Sequence, residues 1–251
     1  MPADLLDLTD RIAIVTGGSR GLGREMALAF ADHGAHVVIA SRKIESCKAV
    51  AEEIRAKGRR ALPIAYHAAS WSDADRLAEA AYAEFGRVDI LVNNAGMSPL
   101  YKSLDDVSEE LFDKVIGVNL KGPFRLSSII GTRMAAGEGG SIINVSSIAS
   151  QQASPSEAPY GAAKAGINSL TQSLAAAFGP RVRVNCIVPG PFLTDISKAW
   201  DLEAFNARAK SAFALGRGGL PHEVVGAALY FASDASSYTT GALLNIDGLP
   251  R

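Results

Sequence analysis

Apolar residues along this 251-residue chain fall into short blocks separated by longer stretches of helical spacing. Residues 11–16 (RIAIVT), 35–40 (AHVVIA), 61–65, 89–93, 141–145, 182–188 and 243–246 are such blocks. Most are continuous and rich in Val and Ile, the pattern of strands covered on both faces. Pro63 interrupts the third block, which predicts a place near a sheet edge. Helical spacing spans 21–33, 43–57, 72–85, 108–134, 160–178 and 221–232. Within 43–57, for example, Cys47, Val50, Ala51 and Ile54 recur on one face. Ser72 and Asp75 resemble a capping box with Asp in the usual place of Glu.

Strictly alternating strands and helices predict a seven-stranded parallel sheet with right-handed crossovers and helices on both faces, a doubly wound α/β fold. No repeat or linker divides residues 1–251, so one domain is expected. Residues 191–219 break the rhythm and carry Phe192, Ile196, Trp200, Leu202, Phe205 and Phe213. An extra helical pair on the core would account for them. Their place just beyond a strand's carboxyl end favours a substrate lid.

Composition narrows the classes. A hydrophobic share of 48% with 20% charged residues excludes a long disordered chain. The formal net charge of −1 argues against a broad basic face for nucleic acid. No apolar run approaches the ~20 residues of a membrane span. The acidic start, with Asp4, Asp7 and Asp10, is unlike a secretory signal, and the tail carries no lipidation address. The expectation is a soluble cytoplasmic protein, with Cys47 and Cys186 as free thiols. His33, His36 and His222 have no metal-ligand spacing, and no metal is expected.

The first block runs directly into Thr16-Gly17-Gly18-Ser19-Arg20-Gly21-Leu22-Gly23, where a helix opens. Glycines there let backbone N–H groups approach a pyrophosphate, and the helix N-terminus adds partial positive charge. Between a strand and a helix, this loop predicts nucleotide binding. The second strand bears on which nucleotide. NAD sites place a carboxylate there for the ribose 2′-hydroxyl. This chain has Ser41-Arg42-Lys43 instead, and Arg20 adds a second guanidinium. A 2′-phosphate would be welcomed by Arg42, so NADP(H) is expected, although two solvated surface arginines would also satisfy the pattern.

Tyr160 and Lys164 lie four apart, on one face of a predicted helix. Ser146-Ser147 ends the strand before them, Asn93-Asn94-Ala95-Gly96 ends the fourth strand, and Asn119 falls within the long helical stretch. With the glycine loop and Pro189-Gly190, this ordered set resembles the short-chain dehydrogenase/reductase family over nearly the whole chain. The resemblance implies a Rossmann-type domain and a hydride transfer between NADP(H) and a ketone or secondary alcohol. Tyr160 would be the acid and base, Ser147 the donor to the substrate oxygen, and Lys164 the cation that holds the nicotinamide ribose. Ser147 is chosen over Ser146 because the family's serine stands 13 residues before its tyrosine. Asn119 would hold a water that resupplies protons through Lys164, or else serve as a structural amide that kinks its helix.

Bringing a tyrosine from near 10 to about 7 takes roughly 4 kcal/mol, and a cation about 4 Å away supplies that order at an effective dielectric of 20. Lys164, helped by an oxidised nicotinamide, is therefore expected to lower the Tyr160 phenol. The resemblance further places Asn94, Ala95 and Gly96 beneath the adenosine side of the cofactor. It gives Val188 and Thr194 the nicotinamide carboxamide, with Pro189-Gly190 shaping that turn. It also implies a homotetramer or dimer, and the small residues of 162–178 suit close subunit packing or, equally, a crowded helix–sheet contact. Two departures stand out: His67-Ala68 where the family often has Asp, and Asp247-Gly248-Leu249 where Asp-Gly-Gly is common. Met97, Leu100, Tyr101, Gln152, Phe192, Leu193 and Trp200 are candidates for a mostly hydrophobic substrate wall. Reduction of a 3-oxoacyl thioester on a carrier protein and a non-catalytic NADP(H)-binding role are the alternatives.

Overall fold

Strand β1 (Ile12–Thr16) is buried at all five positions, because its side chains feed two separate cores. Ala13 and Val15 point to one face and Ile14 to the other, the period-2 geometry of a strand. The computed structural model describes residues 4–152, 154–194, 197 and 201–250. Around β1 it assembles β2 (His36–Ser41), β3 (Ala61–Ala65), β4 (Ile90–Asn93), β5 (Gly140–Val145), β6 (Val182–Pro189) and β7 (Leu243–Ile246). The sheet order is β3-β2-β1-β4-β5-β6-β7, and every pairing is parallel. Pro63 therefore sits on an edge strand, paired with Ile39, as its missing N–H requires.

One face is covered by α1 (Gly21–Asp32), α2 (Ile44–Ala56) and α8 (Val225–Ala232), whose Met26, Phe30, Ile54 and Phe231 are fully enclosed. The other carries α3 (Trp71–Phe85), α5 (Gly122–Ala136) and α6 (Ala158–Phe178), anchored by Leu77, Leu126, Ile130 and Leu174. Asp89, just before β4, accepts from the Ile12 amide at 2.8 Å and pairs with Arg87, joining the starts of β1 and β4.

Two expectations change. The cap of α3 is Ser70, whose hydroxyl accepts from the Asp73 amide at 3.2 Å, not Ser72 with Asp75. Asp75 instead meets Arg125 of α5 at 2.7 Å. The single helix expected over 108–134 is α4 (Glu109–Ile116), a π turn (Gly117–Lys121) and then α5. Such a turn is a known mark of a functional site within a helix, and Asn119 lies inside it.

The 191–219 excursion contains the helix α7 (Leu202–Ala212) among its described residues. Asp201 caps it by accepting from the Ala204 amide at 3.0 Å. The neck is closed by a bridge between Phe192 and Gly219, with Leu193 N donating to Gly219 O at 2.8 Å. At the far side Phe213 pairs with Pro250, and Ala214 N donates to Leu249 O at 2.9 Å. Ile196 and Trp200 lie outside the described residues.

Candidate active site

The strand order reverses between β1 and β4, and the glycine turn occupies the carboxyl end of that crevice, where open α/β sheets bind ligands. Gly17 has φ of +65°, and a Cβ there would stand 2.8 Å from Asn94 Nδ2. The closeness is built by hydrogen bonds. Asn94 Nδ2 donates to Thr16 O at 2.9 Å, while the amides of Asn94 and Ala95 both donate to Thr16 Oγ1. The post-β4 segment thus clamps the phosphate-loop geometry.

Helix α1 has no side-chain cap and no acid in its first turn, so its N-terminal N–H groups remain available to an anion. Arg20, Arg42 and Lys43 are exposed, and none makes an ion pair among the described residues. Ser41 Oγ donates to Ser19 Oγ at 2.8 Å, joining the end of β2 to the loop. Leu22 and Gly23 lie in the first turn of α1, and Thr194 packs beside Gly21, 3.6 Å from where its Cβ would be. Donors, helix terminus and uncommitted cations fit a nucleotide with a phosphate-bearing end.

Ser147 stands two residues past β5, its hydroxyl accepting from the Ala149 amide at 3.2 Å, and Tyr160 is the third residue of α6. Helix α6 lies close against this turn, where a Cβ on Gly161 would stand 2.7 Å from Ala149 O. Lys164 is one turn further on, its Nζ 5.7 Å from the Tyr160 ring centre, and it donates to Val145 O at 2.7 Å. Ser146 hydroxyl, by contrast, donates to Lys164 O at 3.1 Å and is turned to structure. A Cβ on Gly96 would lie 3.0 Å from Asn119 Oδ1 and 3.6 Å from Lys164 Nζ, so these three also converge. Val188 is buried in β6, Pro189 pairs with Ile246, and Gly190 packs against the backbone of Asp247.

Electrostatics depart from the expected lowering of the phenol. Burial pushes the Tyr160 phenol up to about 12, Glu157 adds to that, and the Ser147 hydroxyl opposes it. Burial likewise draws the Lys164 ammonium down to about 8. The chain's own groups therefore favour a protonated phenol. Asn119 is fully engaged by backbone: Nδ2 donates to Met97 O and Val115 O, both at 2.9 Å, and Oδ1 accepts from Met97 N at 3.2 Å.

Some wall candidates are reassigned. Phe192 is buried against Gly219 in the core. Tyr101 is bound through its hydroxyl to the start of α6. Met97 and Leu193 are half-buried, whereas Leu100 and Gln152 are exposed. His67 is exposed, and its backbone amide donates to Asp73. Among the described residues no group of three or more His, Cys, Asp or Glu could hold a metal ion.

Sequence reasoning missed a buried polar chain beneath the site. Asn93 Nδ2 donates to Ser127 Oγ of α5 at 2.8 Å and to Asn144 Oδ1 at 2.9 Å. Asn144 Nδ2 then donates to Thr171 Oγ1 of α6 at 2.9 Å. Asn93 and Asn144 are register partners on β4 and β5, so an amide within each of two adjacent apolar strands was the available signal.

A doubly wound sheet with a glycine turn at its switch point and a Ser–Tyr–Lys cluster beside it defines a nucleotide-dependent oxidoreductase class. The family model described as enoyl-(acyl carrier protein) reductase matches residues 17–248. An L-rhamnose 1-dehydrogenase (NAD(P)(+)) from Azotobacter vinelandii is 41% identical, covering 96% of each chain. The 3-oxoacyl-[acyl-carrier-protein] reductase FabG of Chlamydia muridarum is 38% identical over 96% of this chain and 97% of its own. A solved short-chain type dehydrogenase/reductase from Mycobacterium marinum superposes with a TM-score of 0.91 at 34% identity, covering 98% of this chain and 97% of that one. The chain belongs to the short-chain dehydrogenase/reductase family. It is an oxidoreductase of the CH–OH/C=O type that uses a nicotinamide nucleotide.

Proposed function

We propose that the enzyme interconverts a ketone and a secondary alcohol with NADP(H), and that Ser147, Tyr160 and Lys164 carry the chemistry. The observation that carries this reading is the buried Lys164 ammonium one helical turn from Tyr160, its Nζ 5.7 Å from the ring centre. A nicotinamide nucleotide supplies the hydride in reduction and accepts it in oxidation. Ser147 donates a hydrogen bond to the substrate oxygen as negative charge develops there. Tyr160 gives that oxygen its proton, and in the reverse direction takes it. Lys164 offers the remaining N–H donors of its ammonium to ribose hydroxyls, and Asn119 holds the Met97 backbone at the site's edge. Arg42, with Arg20, takes the 2′-phosphate, which favours NADP(H) over NAD(H).

Residues 191–219 act as the substrate lid in this reading, and the protein works in the cytoplasm. A self-associated form suits the outer face of α6, where Ala162, Ala165, Ser169 and Ala176 are exposed beside an apolar groove at Leu104, Val107 and Phe112. The test is oxidation of NADPH and NADH against ketones, diketones, acyl thioesters and, in the reverse direction, aldoses. Fastest turnover of a simple ketone with NADPH supports the proposal. Preference for a carrier-protein thioester favours the second reading, supported by the 38% identical reductase. Tight NADPH binding without turnover across the panel overturns catalysis.

A further inference from the structure

We propose that Tyr101 is a positioning residue for Tyr160, tying the loop after β4 to the first turn of the helix that carries the acid. Its hydroxyl donates to Pro155 O and accepts from Ala158 N, both at 2.7 Å. Ala158 is the first residue of α6, and its N-cap position, Glu157, makes no side-chain capping bond. Tyr101 therefore satisfies an N-terminal amide that the helix itself leaves open, from 57 residues away.

A second tie runs in parallel. Ser98 Oγ donates to Glu157 Oε1 at 3.1 Å, so the same loop grips both sides of the helix entry. Tyr101, Glu157 and Tyr160 line one narrow void with Pro99 and Pro159, of only about 10 Å³. That is no more than room for a single water. Tyr160 lies two residues beyond the amide Tyr101 holds, so slack at Ala158 passes directly to the phenol. Acid–base catalysis is sensitive to such displacement, because the donor must sit within hydrogen-bond reach of the reacting oxygen.

The inference rests on Tyr160 as the acid and base, and the experiment separates the two. The unmodified enzyme, Tyr101→Phe, Tyr160→Phe and the double variant are assayed with NADPH and the panel carbonyl that is reduced fastest. Tyr101→Phe keeps the ring and removes only the hydroxyl. The expected result is a fall of about tenfold in kcat, with KM for the carbonyl and Kd for NADPH within about twofold. In the Tyr160→Phe background the same change should cost less than about twofold, since a hydroxyl that acts through the phenol has nothing left to position. A merely structural role would compound instead. Near-normal turnover by Tyr160→Phe, or no turnover by the unmodified enzyme, removes the catalytic reading and this inference with it. An inactive Tyr160→Phe beside a Tyr101→Phe within twofold of normal removes this inference alone. So does a Tyr101→Phe loss that tracks melting temperature or NADPH affinity.

Discussion

Lys164 Nζ donates to the carbonyl oxygen of Val145 at 2.7 Å, two residues ahead of Ser147 on the same chain segment. The ammonium is thereby fixed against the end of β5, while burial holds its pKa near 8, below the unfolded value of 10.5. Between those values the unfolded chain binds a proton that the native one does not, so stability rises with pH across that window. At pH 7 the full cost of the buried charge is present, on the order of 3 kcal/mol at ~1.4 kcal/mol per unit. Cys186, raised by burial to about 11, acts in the opposite sense above pH 9. Lys164→Met removes the buried charge but leaves the Val145 carbonyl one partner short, at about 1–3 kcal/mol. The expected outcome is a turnover loss above about a hundredfold with a melting temperature at pH 7 higher by roughly 2–4 °C. A lower melting temperature would show that the ammonium stabilises the fold.

Because burial raises the Tyr160 phenol to about 12, the group enters the reaction protonated throughout the neutral range. Reduction should therefore hold its rate across pH 7–9, while kcat/KM for alcohol oxidation climbs with pH over that range, as more phenolate becomes available. Glu157→Gln removes a charge that raises the phenol, and should move the oxidation profile to lower pH. Tyr160→Phe should lower kcat by more than about a hundredfold, with NADPH affinity retained in fluorescence titration.

Arg42 is exposed and makes no ion pair among the described residues, leaving its guanidinium free for a phosphate. Arg42→Ala is expected to lower kcat/KM for NADPH by about tenfold or more, the scale of a charge-assisted hydrogen bond, with NADH within about threefold. An equal loss with both nucleotides would place the 2′-phosphate elsewhere.

Asn144 links Asn93 on β4 to Thr171 on α6, entirely out of water. Replacing it with Ala should cost about 2–4 kcal/mol in urea unfolding, since two buried partners lose a bond. A cost below about 1 kcal/mol would show that those partners find each other without it.

Leu249 has φ of +54° and is 67% exposed, so it bears the left-handed conformation with little burial in return. Leu249→Gly relieves roughly 1 kcal/mol of that strain, partly offset by the entropy of an added glycine. Thermal unfolding should show a rise of about 1–3 °C. The glycine common in the family at this position suits the same geometry. An unchanged or lower midpoint would mean that the Leu249 side chain contributes packing comparable to the strain.

Hydrophobic patterning was informative wherever local backbone geometry governs the outcome. All seven strands lie within a residue or so of their expected blocks, and the run from Ser19 to Gly23 does open α1. Pro63 marked the edge strand because a missing N–H can be read without tertiary contacts. The capping hydroxyl of α3 was misassigned because Ser70 and Ser72 are both plausible caps, and only the bond to the Asp73 amide separates them. The π turn at Gly117–Lys121 was hidden for a related reason: one inserted residue barely disturbs an apolar stripe.

The order of apolar blocks and the residue types at their carboxyl ends were enough to establish a parallel doubly wound sheet and an ordered set of candidate chemical groups. Periodicity encodes which face of each element is buried, and that information is local. The partners those groups chose were not legible, because hydrogen bonds over 51 to 57 residues form only when separate elements meet. Folding committed the Asn119 amide to Met97 and Val115, engaged the Tyr101 hydroxyl with α6, and left Arg42 exposed. It also set the sign of the Tyr160 shift, since desolvation depends on how completely the surrounding chain closes over a side chain.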